Sequence, residues 1–179
     1  PSAGGESAVV EEGGGRAVVT ESPAVIHLTQ RPGPGTGRPT RTALGDLALG
    51  LYSGHGDFPR SILAPGGIED AVILTRDAFT LADKFQVPVF ILTDQYFIDS
   101  YYNIPSLDLQ DTKAESAIVE TDGDYRRYRI TENGISPRGV PGYGNGLVVP
   151  DSDEHDEDGH HSEDLHVRVA MVDKRKRKL

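Results

Sequence analysis

The sequence contains no cysteine, and this absence excludes several kinds of chemistry at once. Without thiolates the chain itself cannot form a disulfide, hold an iron–sulfur cluster, bind zinc through sulfur or use a cysteine nucleophile. No apolar run approaches the roughly 18 residues of a membrane helix, and no signal peptide precedes the first predicted strand. We therefore expect a soluble cytoplasmic protein with no membrane partner.

Lysine is scarce in a chain that is otherwise rich in charge. The 18 basic residues comprise 13 arginines and 5 lysines, against 28 acidic residues, and the formal net charge is -10. This balance predicts against a nucleic-acid partner, because neutralising phosphates requires clustered cations. Dense carboxylates on a lysine-poor surface also predict a halophilic protein that stays hydrated in high salt. The run Lys174–Lys178 is the exception, and we expect an exposed helix end there.

Predicted strands and helices alternate between Ala24 and Thr93. Strands are predicted at residues 24–28, 60–64 and 87–93, and helices from Thr40 or Thr42 to Tyr52 and over Ile68–Phe85. The last strand is apolar on both faces, which is typical of a parallel sheet covered by helices. The sequence of 179 residues therefore predicts an α/β domain with a layered parallel sheet.

The flanking segments are less regular. A weak helix is predicted at residues 8–20, a short strand at Arg126–Ile130 and a final helix within Ser162–Leu179. Asp151–Asp164 is rich in acids and histidines, so we expect a solvated linker, with a metal site as the alternative. His27 lies on a predicted buried strand and is interpreted as a hydrogen-bonded core histidine.

A stiff loop separates the first strand from the helix that follows it. Arg31–Thr40 contains three prolines and three glycines, which excludes a helix or a central strand there. Ligands of open α/β sheets bind beyond the carboxyl ends of the strands, so the loop predicts a ligand site. The Arg31 guanidinium can bind a carboxylate with two hydrogen bonds, and the Thr40 hydroxyl can add another. The alternative is a structural turn with a surface arginine.

The same loop carries a resemblance to a known family. Gln30–Thr42, followed by Gly45-Asp46-Leu47, resembles the motif Q-R-x-G-P-S-T-G-x-P-T-x-x-x-x-D-L of the 2-oxoacid:ferredoxin oxidoreductases, in their alpha subunit. The resemblance covers nearly the whole chain, with a 2-oxoglutarate-type, haloarchaeal character. It continues through Gly54–Arg60, Leu63–Gly66, Ala78–Lys84, Pro88–Tyr96, Gly134–Arg138 and Glu154–Glu157.

The resemblance implies a fold and its subdivision. Residues 1–102 would form part of the domain that binds the pyrimidine ring of thiamine diphosphate, a three-layer α/β fold that is incomplete at its N-terminus. Residues 103–161 would form an irregular extended arm and an acidic linker. Residues 162–179 would form a C-terminal helix that leads to a missing domain.

The resemblance also implies an activity and its binding residues. Such enzymes decarboxylate a 2-oxoacid oxidatively, form an acyl-CoA and reduce ferredoxin. Arg31 would bind the C1 carboxylate of the substrate and Thr40 would assist it, because the reacting carbonyl must be held in one orientation. Gly33, Thr36 and Gly37 would contact the cofactor. No catalytic or metal-binding residue is assigned to this chain.

The resemblance also implies a partner subunit, because several features of the family are not found in this sequence. The family's cofactor-activating glutamate, its Y-P-I-T-P loop and its gamma-like domain are expected upstream of this stretch. Its diphosphate and Mg²⁺ motif and its cluster cysteines belong to the beta subunit, so thiamine diphosphate would be shared and the isolated chain inactive. Gly35 stands where the family usually has serine, and Arg38 where it usually has leucine. The alternatives are a truncated, non-catalytic subunit-interaction module and a sibling enzyme that uses pyruvate or indolepyruvate.

Overall fold

A computed structural model describes residues 7–104, 106–107 and 115–179 of the chain, with side chains from Glu12 onward. Three parallel strands form one sheet in the order β1-β3-β2. Strand β1 is Ala24–Gln30, β2 is Ser61–Leu63 and β3 is Pro88–Asp94. The first six residues of the central strand β3 are buried, as its apolar sequence predicts. The predicted α/β class with a parallel sheet is confirmed, although residues 1–6 and 108–114 of the predicted segments lie outside the described residues.

Five described helices accompany the sheet: α1 (Ser7–Val19), α2 (Leu47–Tyr52), α3 (Ile68–Phe85), α4 (Gln95–Asp99) and α5 (Leu165–Lys176). Helix α3 has the predicted bounds, with Glu69 and Asp70 in its first turn, where the helix dipole favours negative charge. The helix ends because Gln86 adopts a left-handed conformation, with φ of 54°. Among the described residues, no helix is long and apolar enough to cross a membrane.

The hydrophobic core lies between α3 and the sheet. Ala78 and Ala82 of α3 pack against Val89 and Ile91 of β3, and all four side chains are buried. Helix α2 covers the opposite face, where a Cβ on Gly50 would lie 3.3 Å from Ile62 Cδ1. Alternate residues of each strand therefore meet helices on both faces, as a layered parallel sheet requires.

Two predicted elements differ from the structure, one in its extent and the other in its type. Helix α2 begins at Leu47 rather than at Thr40 or Thr42, because polar groups of residues 42–46 bond to the ends of the strands instead of capping a helix. Arg126–Ile130 forms turns rather than a strand. Its backbone bonds to the acidic segment, where the Tyr128 amide donates to the Glu157 carbonyl at 3.0 Å.

A cluster of buried charges lies at the amino edge of the sheet, where β1 and β3 begin. Its carboxylate is Glu21, which has no exposed surface and forms an ion pair with Lys174. The Lys178 ammonium lies 2.9 Å from Glu21 Oε2 and donates to the Gln86 carbonyl at 3.2 Å. Glu21 and Gln86 both have positive φ, at 49° and 54°, in the turns that precede the two strands. We call Glu21, Lys174 and Lys178 the amino-edge cluster.

Arg127 joins the same two turns from the described residues 115–164, which precede α5 and which we call the extension. Its guanidinium donates to the backbone carbonyls of Thr20 and Glu21 at 3.0 and 2.6 Å, and to Gln86 Oε1 at 3.1 Å. Gln86 in turn donates to the Ser136 carbonyl at 2.6 Å. These bonds fasten the extension and α5 to the amino edge of the sheet.

The prediction of an exposed basic helix end is therefore wrong at Lys174, Arg175 and Lys178, which are all buried. Burial alone would raise the pKa of Glu21, but Lys178 and Lys174 outweigh it and hold that pKa below its usual range. Burial lowers the pKa of Lys178 to about 8, against the opposing pull of Glu21. The pKa of Lys174 is also lowered, first by burial. The cluster thus has two cations for one carboxylate.

The acidic segment is folded against α5 at its centre. His155 has no exposed surface, and its ring centroid lies 3.7 Å from that of Tyr128. Glu154 accepts two hydrogen bonds from Arg175, at 2.9 and 3.0 Å, and lies 3.7 Å from Arg168. The expected solvated linker is wrong at these residues, because His155 is buried and Glu154 is paired with arginines of α5.

Glu21→Gln should lower the free energy of unfolding by about 3–5 kcal/mol, since it leaves two buried ammonium groups without their counter-charge. Denaturation by guanidinium chloride measures this change. Glu132→Gln, at an exposed turn residue, is the matched control. Equal unfolding midpoints for the two variants would contradict the role of the amino-edge cluster.

His155 should make stability depend on pH. Its pKa is lowered, first by burial, so the folded state keeps the ring neutral while the unfolded chain takes up a proton below about pH 6.5. Stability from this group is therefore present above pH 6.5 and lost as the pH falls below it. His155→Gln should remove this part of the loss between pH 7 and 5, measured by thermal unfolding, whereas the exposed His160→Gln should retain it. Parallel pH profiles for wild type and His155→Gln would contradict the assignment.

Candidate functional site

The carboxyl edge of the sheet is formed by the ends of β1 and β3. Gln30 and Asp94 are register partners at these ends, and Arg31 follows Gln30 directly. The Pro/Gly loop leaves the sheet here, at the edge where open parallel sheets bind their ligands. The loop that the sequence singled out is therefore placed as predicted.

Two side chains fix the backbone at Arg31. The Arg31 amide donates to Asp46 Oδ2 at 3.2 Å, and the Asp46 amide donates to Gln30 Oε1 at 3.2 Å. This reciprocal pair joins the end of β1 to the start of α2 and closes the loop between them. Arg31 itself is half-buried at this position. Asp46 is thus a positioning residue for Arg31, a role that sequence reasoning missed.

Asp94 anchors the far side of the loop. Its Oδ2 accepts a hydrogen bond from the Thr42 hydroxyl, and its Oδ1 accepts one from the Phe97 amide at 2.8 Å. The second bond caps the short helix α4, which the sequence did not predict. One carboxylate at the end of the central strand therefore ties the loop to α4.

The loop is pinched between Pro32 and Arg38. The Arg38 amide donates to the Pro32 carbonyl at 3.0 Å, and we call this closure the loop neck. Gly37 has φ of +52°, and a Cβ there would lie 1.8 Å from the Pro32 carbonyl oxygen. Only glycine fits this position without moving the backbone. The neck holds Arg38 beside the residue that follows Arg31.

The predicted binding residues share this loop but differ in burial. Arg31 is half-buried, whereas Gly33, Thr36, Gly37 and Thr40 are exposed. The requirement for glycine is structural at Gly37, where the turn excludes any side chain. The substrate and cofactor roles assigned to these residues stay predictions.

Thr29 and Thr93 lie behind the loop, on the α3 side of the sheet. His27 Nε2 lies 2.7 Å from Thr93 Oγ1, and burial is the main cause that lowers the pKa of His27. The expected hydrogen bond of His27 is confirmed, but its place in the core is wrong, because the residue is only partly covered on the edge strand β1. The hydroxyl of Thr29 is buried and has no hydrogen-bond partner within the described part of the chain. Sequence reasoning missed Thr29, since nothing in its pattern marks it.

The carboxylates of Asp46 and Asp94 at the carboxyl edge take part in the structure of the loop. Asp46 and Asp94, which lie at this edge, are both engaged by bonds that shape the loop. Among the described residues, one group could hold a metal ion through clustered ligand atoms, and it lies in the acidic segment: Asp156, Asp158 and His160. Arg31, which directly follows the end of β1, suits an anionic group such as a carboxylate.

Comparisons with known proteins identify the family. The sequence matches the family described as pyruvate flavodoxin/ferredoxin oxidoreductase, thiamine diphosphate-binding, over residues 2–174. It is 42% identical over 172 residues to the alpha subunit of 2-oxoacid:ferredoxin oxidoreductase 1 from Sulfurisphaera tokodaii, covering 94% of this chain and 27% of that protein. It is 38% identical over 133 residues to the 2-oxoglutarate synthase subunit KorA from Archaeoglobus fulgidus, covering 71% of this chain and 38% of that protein.

The similarity in fold agrees with the similarity in sequence. It is similar to a solved 2-oxoglutarate:ferredoxin oxidoreductase from Magnetococcus marinus with 2-oxoglutarate, coenzyme A and succinyl-CoA bound. The TM-score is 0.89 at 35% identity, over 98% of this chain and 31% of that one. The chain belongs to the thiamine diphosphate-binding pyruvate flavodoxin/ferredoxin oxidoreductase family, which confirms the predicted resemblance and fold type. It spans about a quarter of the length of the first of these relatives.

Gly37→Ala should open the loop neck, because the new methyl group would overlap the Pro32 carbonyl. We expect the free energy of unfolding to fall by about 1–3 kcal/mol, because an alanine is strained at this positive φ and close approach. Gly45→Ala is the matched control, since a Cβ there meets nothing within 4 Å. Thermal unfolding measures both variants, and equal midpoints would show that the neck does not require glycine at position 37.

Proposed function

We propose that the chain is part of the alpha subunit of a 2-oxoacid:ferredoxin oxidoreductase. The complete enzyme would decarboxylate 2-oxoglutarate or a related 2-oxoacid oxidatively, form the acyl-CoA and reduce ferredoxin. The observation that carries the proposal is the fixed position of Arg31 at the carboxyl edge, in a chain of this family. An acidic, cysteine-free chain that works with a soluble electron carrier suits the cytoplasm, and its charge suits high salt.

Arg31 would bind the C1 carboxylate of the substrate. A planar guanidinium matches a carboxylate with two parallel hydrogen bonds, and it remains charged at any physiological pH. Asp46 would hold the Arg31 backbone in place, so that the bound 2-oxoacid presents its carbonyl in one orientation. Thr40 would add a hydroxyl contact at the same site.

Thiamine diphosphate would lie against this edge and be shared with a beta subunit. When bound, the cofactor supplies the carbanion-stabilising chemistry of the decarboxylation. Gly33, Thr36 and Gly37 would approach it through their backbone. The beta subunit would hold the Mg²⁺ and the iron–sulfur cluster, because this chain has no cysteine and its carboxylates at the edge are engaged.

Exposed apolar side chains near the loop support a subunit contact at this edge. They flank the site on both sides, on α2 with the residues before it and on α4 with the residues after it. Large apolar groups in such numbers on one edge are typical of protein–protein interfaces. They are Leu44, Leu47, Leu51, Tyr52, Tyr96, Ile98, Tyr101 and Tyr102.

Arg31→Gln should raise KM for the 2-oxoacid about 100-fold, because a charge-assisted pair to the substrate carboxylate is lost. The test uses the full-length alpha subunit with its beta subunit and follows 2-oxoacid-dependent reduction of a viologen dye. Arg16→Gln, an exposed change on α1, is the control. Unchanged KM in Arg31→Gln would remove the assigned role. Absence of turnover by the wild-type pair with any 2-oxoacid would instead favour a non-catalytic interaction module.

A further inference from the structure

The Pro/Gly loop is a basic island in an acidic chain. From Pro23 to Gly45 the sequence has no aspartate or glutamate, although the whole chain has 28. The same stretch contains three arginines: Arg31, Arg38 and Arg41. The loop therefore carries a local excess of positive charge, which attracts anionic ligands.

Arg38 has no ion-pair partner within the described part of the chain, and it is exposed. This is unusual for a cation of this protein. Most other described arginines and lysines bond to a carboxylate or to a backbone carbonyl: Arg60, Arg76, Arg127, Arg129, Arg138, Arg168, Lys174, Arg175, Lys176, Arg177 and Lys178. A charged side chain that the fold leaves without a partner is available for a ligand.

The loop neck fixes where Arg38 emerges. Its amide bonds to the Pro32 carbonyl at 3.0 Å, so its backbone lies across the neck from the residue next to Arg31. Position 37 in this closure accepts only glycine, because a Cβ there would overlap the Pro32 carbonyl. The side chains of Arg31 and Arg38 therefore start from the two sides of one neck, seven positions apart in sequence.

We propose that Arg38 binds the distal carboxylate of the substrate and selects 2-oxo dicarboxylic acids over 2-oxo monocarboxylic acids. This assignment rests on the proposed function, in which Arg31 binds the C1 carboxylate. A five-carbon 2-oxo dicarboxylate has an anionic group at each end, and two anchored cations recognise both ends at once. A monocarboxylic acid engages Arg31 alone and leaves Arg38 in water.

Arg41 is the neighbouring cation that the structure sets apart from this role. Its amide donates to the Arg38 carbonyl at 3.1 Å, which places it beyond the neck. The next residue, Thr42, is tied to Asp94. Arg41 contributes charge to the same edge without flanking Arg31, and it therefore serves as a matched control.

The test compares kcat/KM for 2-oxoglutarate with kcat/KM for 2-oxobutyrate in the full-length alpha and beta complex. Arg38→Gln should lower the ratio of the two values about 10- to 100-fold, through loss of a charge-assisted pair to one substrate only. Arg38→Lys should restore part of the ratio, because the charge returns without the planar fork. Arg41→Gln should leave the ratio within about twofold, since remote surface charge acts weakly and on both substrates.

Inhibition by glutarate gives a second readout that does not depend on turnover of the inhibitor. Glutarate carries both carboxylates but no keto group, so its inhibition constant reports binding. Arg38→Gln should raise that constant about 10- to 100-fold and leave the constant for butyrate unchanged.

Three results would overturn the assignment. A ratio unchanged in Arg38→Gln would show that the guanidinium does not contact the distal carboxylate. An equal loss in Arg41→Gln would show that the field of the loop acts rather than one residue. A higher KM for coenzyme A with an unchanged ratio would assign Arg38 to a phosphate of that substrate. Loss of turnover with both 2-oxoacids in the wild-type complex would instead strike at the proposed function.

Discussion

The structure depends on a carboxylate that has no contact with water. Glu21 lies in the turn before β1, and burial of its charge requires cations to replace the lost hydration. Lys174 and Lys178 supply them from a segment more than 150 positions away. The two ends of the chain are thereby joined at the amino edge of the sheet. Glu21 is paired only when Lys174 and Lys178 reach it, and this favours one position of α5 against the sheet.

The two edges of the sheet therefore differ in structure. At the amino edge, Arg127 of the extension bonds to the turn before β1, and Lys178, which follows α5, bonds to the turn before β3. The Pro/Gly loop lies at the carboxyl edge, and its shape is set by Asp46 and Asp94. A ligand can therefore bind at the carboxyl edge, while the buried charges at the amino edge stabilise the fold. The exposed apolar residues around the loop are consistent with this arrangement, since a subunit interface must lie on a surface that the fold leaves open.

Sequence reasoning predicted the parts that depend on local pattern. The bounds of α3 follow from its helical spacing, and the burial of β3 follows from its continuous apolar run. The parts that it missed depend on contacts distant in sequence. No local pattern indicates that Lys174 meets Glu21, or that Asp46 receives a bond from the Arg31 amide, and so the basic helix end was predicted as exposed and α2 as too long. At the site, the place of the loop at the carboxyl edge was predictable from its composition, whereas the neck depends on a bond between Arg38 and Pro32 that composition does not indicate.

The most direct measurement is the position of a bound 2-oxoacid in a structure of the full alpha and beta complex. The account predicts that the C1 carboxylate lies within about 3 Å of the Arg31 guanidinium, at the carboxyl ends of β1 and β3. A substrate bound with its C1 carboxylate held elsewhere, and with Arg31 distant from it, would contradict the account.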